Sequence, residues 1–193
     1  YGVGQFFMPQ DIELRNKLKS LAEKVFALHS LELAAWRELE IQEEILDGRA
    51  KESLPHVCQA LVYAHHNLQG VEQAEQFERK LYVARKHLDK VARHDFGISP
   101  DLFHTVSLSS HSIVYKGLLK GGQLASFYHD LAQPDFKVYF AIFHERYSTN
   151  TKPAWRLAQP FHHLAHNGEI NTVACNHTSM MMREPALKSE LFG

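Results

Sequence analysis

The sequence predicts an α+β domain, with two layers of each element or a two-layer arrangement, because three patterns coexist in it. Short runs such as VGQFFM and KVYFAIFHERYS have the β-rich, partly alternating character of strands. Two long segments carry apolar residues at three- and four-residue spacing, as helices with one buried face do. No repeat, linker or low-complexity run divides the 193 residues, so these elements are expected to share one domain.

In chain order, residues 3–8 read as a buried strand ended by Pro9. Asp11 is placed to cap a helix whose stripe is Leu14, Leu18, Leu21, Val25 and Leu28. A short strand is expected around Ala34–Trp36, then a helix or loop to Gly48. Residues 57–66 suit a strand or the opening of a helix, with a polar turn at NLQG after them. The strongest helix is 72–94, with the stripe Phe77, Leu81, Ala84, Leu88 and Val91 and Gly97 beyond its end. Strands are expected at Thr105–Ser107, Ser112–Lys116 and along KVYFAIFHERYS, with a turn and short helix at GGQLASFYHDL. HHLAHN and INTVAC straddle Gly168, and a last helix runs through TSMMMREPALKSE.

Composition narrows the class of partner. Lys plus Arg is 21 and Asp plus Glu is 22, a formal charge of −1, and 45% of residues are hydrophobic. This balance points away from nucleic acid and anionic membranes. The basic runs RNKLKS and RKHLDKVARH read as solvated helix faces. A chain of this length buries about 70% of its unfolded surface and needs no staple. Cys58 and Cys175 allow buried thiols, a reactive group or one disulfide, and so few cysteines favour a reducing compartment. No run approaches a membrane span, no signal peptide opens the chain, and the expected location is the cytoplasm.

Fourteen histidines raise the question of a metal. His65–His66 and His162, His163 and His166 cluster, but there is no HExxH, and Pro160 and Asn167–Gly168 interrupt a helix through the second group. No residue is assigned to a metal on this basis. Ser109, Ser110 and Ser148 lack the surroundings of a nucleophile elbow. Arg146, at an expected strand end, offers a planar fork suited to a carboxylate, or is a packing arginine. Asn167 and Gly168 form a tight-turn signal, and their N–H groups also suit a developing oxyanion.

HERYSTNTKPAWRLAQPFHHLAHNGEIN closely resembles the glutamine amidotransferase domain of the large subunit of glutamate synthase. YGVGQFFMPQ, FERKLYVARK and SLSSHSIVYKG extend the likeness over most of the chain. The resemblance implies a four-layer α/β/β/α sandwich of the N-terminal-nucleophile hydrolase type, with residues 1–193 forming a single partial domain that lacks both ends. It implies hydrolysis of L-glutamine to glutamate and ammonia, with the ammonia aminating 2-oxoglutarate in synthase domains of the same polypeptide. By family position Arg146 holds the glutamine α-carboxylate, Ser148, Thr149 and Asn150 line the same pocket, and Asn167 and Gly168 form the oxyanion hole. FMN and an iron–sulfur cluster are expected in other domains, none in this chain, with a small reductase subunit or ferredoxin as partner.

Several family features are not matched. The family nucleophile is a cysteine at the mature amino terminus, and neither Cys58 nor Cys175 occupies its position. The family's aspartate that binds the glutamine amine is also expected outside these residues. AAWRELEIQEEILDGRA, His162 and ACNHTSMMM depart from family habit while leaving Arg146, Asn167 and Gly168 unchanged. The isolated chain is therefore expected to be inactive. The alternative is a noncatalytic glutamine-binding or scaffolding module; STNT, YVARK and IVYKG argue against other class II amidotransferases.

Overall fold

The computed structural model describes residues 1–64, 71–145, 147, 152–160 and 173–192. Its centre is a four-stranded antiparallel sheet in the order β2-β3-β1-β4. The strands are β1 (Gly2–Met8), β2 (Leu31–Glu38), β3 (His56–Ala64) and β4 (His104–Ser109). β1 and β3 pair throughout, Gly2 with Val62 and Met8 with His56. Bulges between Gln5 and Phe6, and between Leu33 and Ala35, shift the register toward each outer strand. Alternation along the central strands sends Phe6, Met8, Cys58, Ala60 and Val62 to one face and Phe7 and Val57 to the other.

Two helices cover the first face. α1 (Ile12–Leu28) begins where the Asp11 carboxylate accepts from the Leu14 backbone N–H at 2.7 Å, and it buries Leu18, Ala22, Val25 and Phe26. Ser30 takes a positive φ of 56° in the tight turn into β2. α3 (Val71–Lys90) buries Phe77, Leu81, Ala84 and Leu88, then widens into a π turn over Val91–Asp95. Gly97, at φ 64°, lies just beyond. Each fully buried large side chain on this face contributes roughly 1.5–3 kcal/mol of transfer free energy, so helix packing dominates its stability.

No long helix covers the second face among the described residues. Leu39, Leu46, Val114, Phe127, Tyr128 and Trp155 pack there from loops and short helical turns. Among these are α2 (Gly48–Glu52) and α4 (Leu124–Phe127). α5 (Val173–Arg183) comes late in the chain, and its described side chains are exposed. The α+β class is as expected; of the sandwich, a helical layer and one sheet lie among the described residues. No helix among them is long and apolar enough to cross a membrane.

Several elements differ from expectation. β2 extends well past Ala34–Trp36 because its whole length pairs with β3. The region before Gly48 forms a 3-10 turn at Glu43–Ile45, and residues 57–64 are strand. Ser112–Lys116 is not a strand. The Ser109 hydroxyl accepts from the His111 and Ser112 N–H groups, and the Ser107 hydroxyl from Val114 N–H at 3.2 Å. These side-chain acceptors replace a ladder. Residues 137–145 are not a strand either: Val138, Tyr139, Phe140 and Phe143 are exposed, with no paired strand among the described residues. Alternation makes a strand possible, but the neighbouring edge completes it. The last helix stops at Arg183, two residues before Pro185, rather than running on through Glu190.

Candidate functional site

Arg146, Ser148, Thr149, Asn150, Asn167 and Gly168 all lie outside the described residues, as do His65–His66 and His162, His163 and His166. Their chain neighbours do not. His144, Glu145 and Tyr147, on either side of Arg146, line a cavity of about 320 Å³ together with Ala158, Gln159 and Pro160. The loop after β4 also lines it, with Tyr115, Lys116, Gly121 and Gly122. Residues on either side of Arg146, and residues seven to nine positions before Asn167 in the sequence, thus border one space.

The walls are fixed from the loop-covered face of the sheet. Trp155 is buried, its Nε1 donating to the Ala50 carbonyl at 3.2 Å and its ring meeting Phe7 edge-on at 5.7 Å. A Cβ on Gly117 would stand 2.5 Å from the Trp155 ring, so the loop passes the indole only because that residue is glycine. The Tyr147 hydroxyl bonds Ala154 twice, accepting from its N–H at 3.0 Å and donating to its carbonyl at 3.1 Å. This tie brings together the two ends of the segment containing Ser148, Thr149 and Asn150. Gln159–Pro160 is a cis peptide at the edge of the cavity.

Tyr115 and Lys116 supply the polar side. Tyr115 donates to Asp130 at 2.8 Å and accepts from Gln59 Nε2 at 3.2 Å; burial first, then the bond to Asp130, pushes its phenol up to about 12. Arg37 grips Asp130 through both Nη atoms and donates to Gln59 Oε1 at 2.9 Å, tying the phenol to β2 and β3. The Arg37 hydrogen bond in turn holds the Asp130 carboxylate below its usual range. Lys116 is buried, and its ammonium donates to the Arg156 carbonyl at 2.8 Å. Burial, with Arg156 and Arg85 nearby, lowers its pKa to about 8. The Glu145 carboxylate packs directly on Gly121, so close that a Cβ there would clash with it. The residues lining the cavity therefore include a cationic, a phenolic and a carboxylate side chain, the first two held by hydrogen bonds within the fold.

Sequence reasoning placed Lys116 in a strand and gave Tyr115, Gly121 and Glu145 no role. The only signal was the glycine-punctuated YKGLLKGG, which reads as a turn on pattern alone. Both cysteines are free. Cys58 sits on the helix-covered face with its thiol pushed up to about 12 by burial, the opposite of an activated nucleophile. Among the described residues, Glu38, His56 and Cys58 bring three potential metal ligands together. With one thiol this group does not fit an iron–sulfur cluster, whose irons need several cysteines.

A sequence profile described as glutamine amidotransferases class-II matches residues 1–193. The chain belongs to that family. It is 38% identical over 192 residues to ferredoxin-dependent glutamate synthase 1, chloroplastic/mitochondrial, of Arabidopsis thaliana. Over 191 residues it is 39% identical to the chloroplastic ferredoxin-dependent enzyme of Oryza sativa subsp. japonica. The glutamate synthase [NADPH] large chain of Azospirillum brasilense matches at 38% over 192 residues. Each alignment takes in 99% of this chain but only 11% of the Arabidopsis protein and 12% of the other two. The expected cytoplasmic location does not stand. The Arabidopsis and rice class-II relatives are chloroplastic, the first also mitochondrial, by name. A low cysteine count does not separate one reducing compartment from another.

Proposed function

We propose that residues 1–193 form one partial class-II amidotransferase domain that supplies the glutamine-binding wall of a glutamate synthase. In the intact enzyme this domain hydrolyses L-glutamine to glutamate and ammonia, and synthase domains of the same polypeptide use the ammonia to aminate 2-oxoglutarate. The observation that carries the reading is the shared cavity: the neighbours of Arg146 and the residues leading into the HNGEIN segment both line it. Arg146 binds the substrate α-carboxylate through its planar fork, with Ser148, Thr149 and Asn150 beside it. Asn167 and Gly168 donate N–H groups to the oxygen that becomes negative when a thiolate attacks the amide carbon. FMN and an iron–sulfur cluster belong to other domains. Identity to the ferredoxin-named Arabidopsis and NADPH-named Azospirillum relatives is equal at 38%, so this segment favours neither electron donor.

The thiolate does not come from this segment. Cys58 is sealed in the core with a raised pKa, and Cys175 lies on the exposed α5. The 193 residues alone are therefore inactive. In the intact protein, Asn167→Ala removes one oxyanion donor and lowers kcat by about 10²–10³, some ~2.7–4 kcal/mol of barrier. Ammonia release from glutamine measures both. Turnover by the isolated chain would overturn the division of labour, and an intact protein that binds glutamine without hydrolysing it would make this a binding module.

A further inference from the structure

At one end of the sheet, on the helix-covered face, donors of three chemistries converge. His56 and Cys58 are two residues apart on β3 and share a face, and Glu38 stands directly opposite Cys58 in the β2–β3 ladder. One ligand atom from each lies within 4.8 Å of the others. Met8, opposite His56 in the β1–β3 ladder, adds a thioether 3.7 Å from the Cys58 sulfur. Burial is graded: Cys58 and Met8 are fully enclosed, His56 is half-buried, and Glu38 opens to solvent. The cluster is separate from the cavity of the proposed amidotransferase site, which lies toward the opposite face of the sheet.

We propose that Glu38, His56 and Cys58 form a binding site for a zinc-type divalent cation that clasps the ends of β2 and β3. Zinc bonds of about 2.0–2.3 Å set tetrahedral donors roughly 3.3–3.8 Å apart, so the ligands need shift by only about 1 Å. The ion stands where the His56 Nε2–Glu38 Oε2 hydrogen bond now runs and takes Cys58 as thiolate, its proton leaving to solvent. The mixed thiolate, imidazole and carboxylate set suits zinc over magnesium or calcium, which prefer oxygen alone. Lys19 opposes the ion: its ammonium holds the other Glu38 oxygen at 2.6 Å and lies over the Trp36 ring. That opposition yields a signed test, because removing the Lys19 charge strengthens metal binding and would weaken a mere ion-pair network.

The experiment is a titration of the intact, metal-stripped polypeptide with Co²⁺, reading the thiolate-to-cobalt charge-transfer band as a difference against Cys58→Ala. The expected result is one equivalent of Cys58-dependent band. Glu38→Gln, an exposed change that leaves the core intact, weakens it by about 10–100-fold or more, and Lys19→Gln tightens it. Zinc competes the cobalt away and raises the Tm of the native protein but not of Cys58→Ala. Absence of a Cys58-dependent band in native protein overturns the site, as does Glu38→Gln or Lys19→Gln with unchanged affinity.

Discussion

The two faces of the sheet are built by different rules. Phe6, Met8, Ala60 and Val62 meet helices whose apolar stripes repeat every three or four residues, with polar contacts such as Glu78 on the Ser109 hydroxyl kept toward the β4 side. On the reverse, Gln5, Gln59 and Ser107 are buried beside Phe7 and Val57, and loops rather than helices cover them. A face filled by shape tolerates any well-packed apolar set, whereas a face filled by hydrogen bonds fixes particular residues in particular places. Only the second kind holds Tyr115 and Lys116 at the rim of a cavity. Stability is thus concentrated on one side of β1 and β3, and positioning on the other.

Substitutions on each face would sharpen or break that division. The largest effect belongs to the helical face: Phe26→Ala, at a fully buried site, should cost about 3–5 kcal/mol. Faster hydrogen exchange of β1 and β3 amides in the intact protein reads it, with kcat per folded molecule unchanged. A fall in kcat there would mean that the faces are coupled. Next comes Lys116. Its folded pKa near 8 lies below the ordinary 10.5, so between those values the unfolded chain holds a proton that the folded chain has lost. Stability contributed at this position therefore rises as pH climbs from about 8 to 10.5, on the order of 1–3 kcal/mol. The difference in Tm between native protein and Lys116→Met across that range checks the sign. Smallest is Tyr115→Phe, which leaves Asp130 and Gln59 each short of a partner and should cost about 1 kcal/mol. It should raise KM for glutamine more than it lowers Tm, and the reverse outcome would make Tyr115 part of the packing alone.

The same division decides what the sequence disclosed. Leu18, Val25, Phe77, Leu81 and Leu88 announced their helices because helical burial imposes a period, and Asp11 announced its cap because one carboxylate meets one N–H. The loop-covered face imposes no period. Val114 and Tyr115 look like strand residues, yet serine hydroxyls take the N–H groups a ladder would have used. The aromatic alternation at 137–145 is real, but pairing depends on a second edge that the segment itself cannot specify. Arg146, Asn167 and Gly168 were legible as chemistry through the family motif. The cavity lined by the chain neighbours of Arg146 was not, since Tyr115, Lys116 and Glu145 meet only through the fold. Glu38, His56 and Cys58 were hidden likewise, because a ladder register, not sequence spacing, sets Glu38 opposite Cys58.

The aromatic run beyond Phe136 carries a different consequence. Phe136 is anchored edge-on against Tyr115 at 5.9 Å, and beyond it Val138, Tyr139, Phe140 and Phe143 are exposed to solvent. Exposed apolar side chains this close together in the sequence make a surface through which molecules associate. In the test tube this turns protein concentration into a structural variable. Dilution and a few added surface charges, more than any change to the core, would set how long a preparation of these residues stays clear.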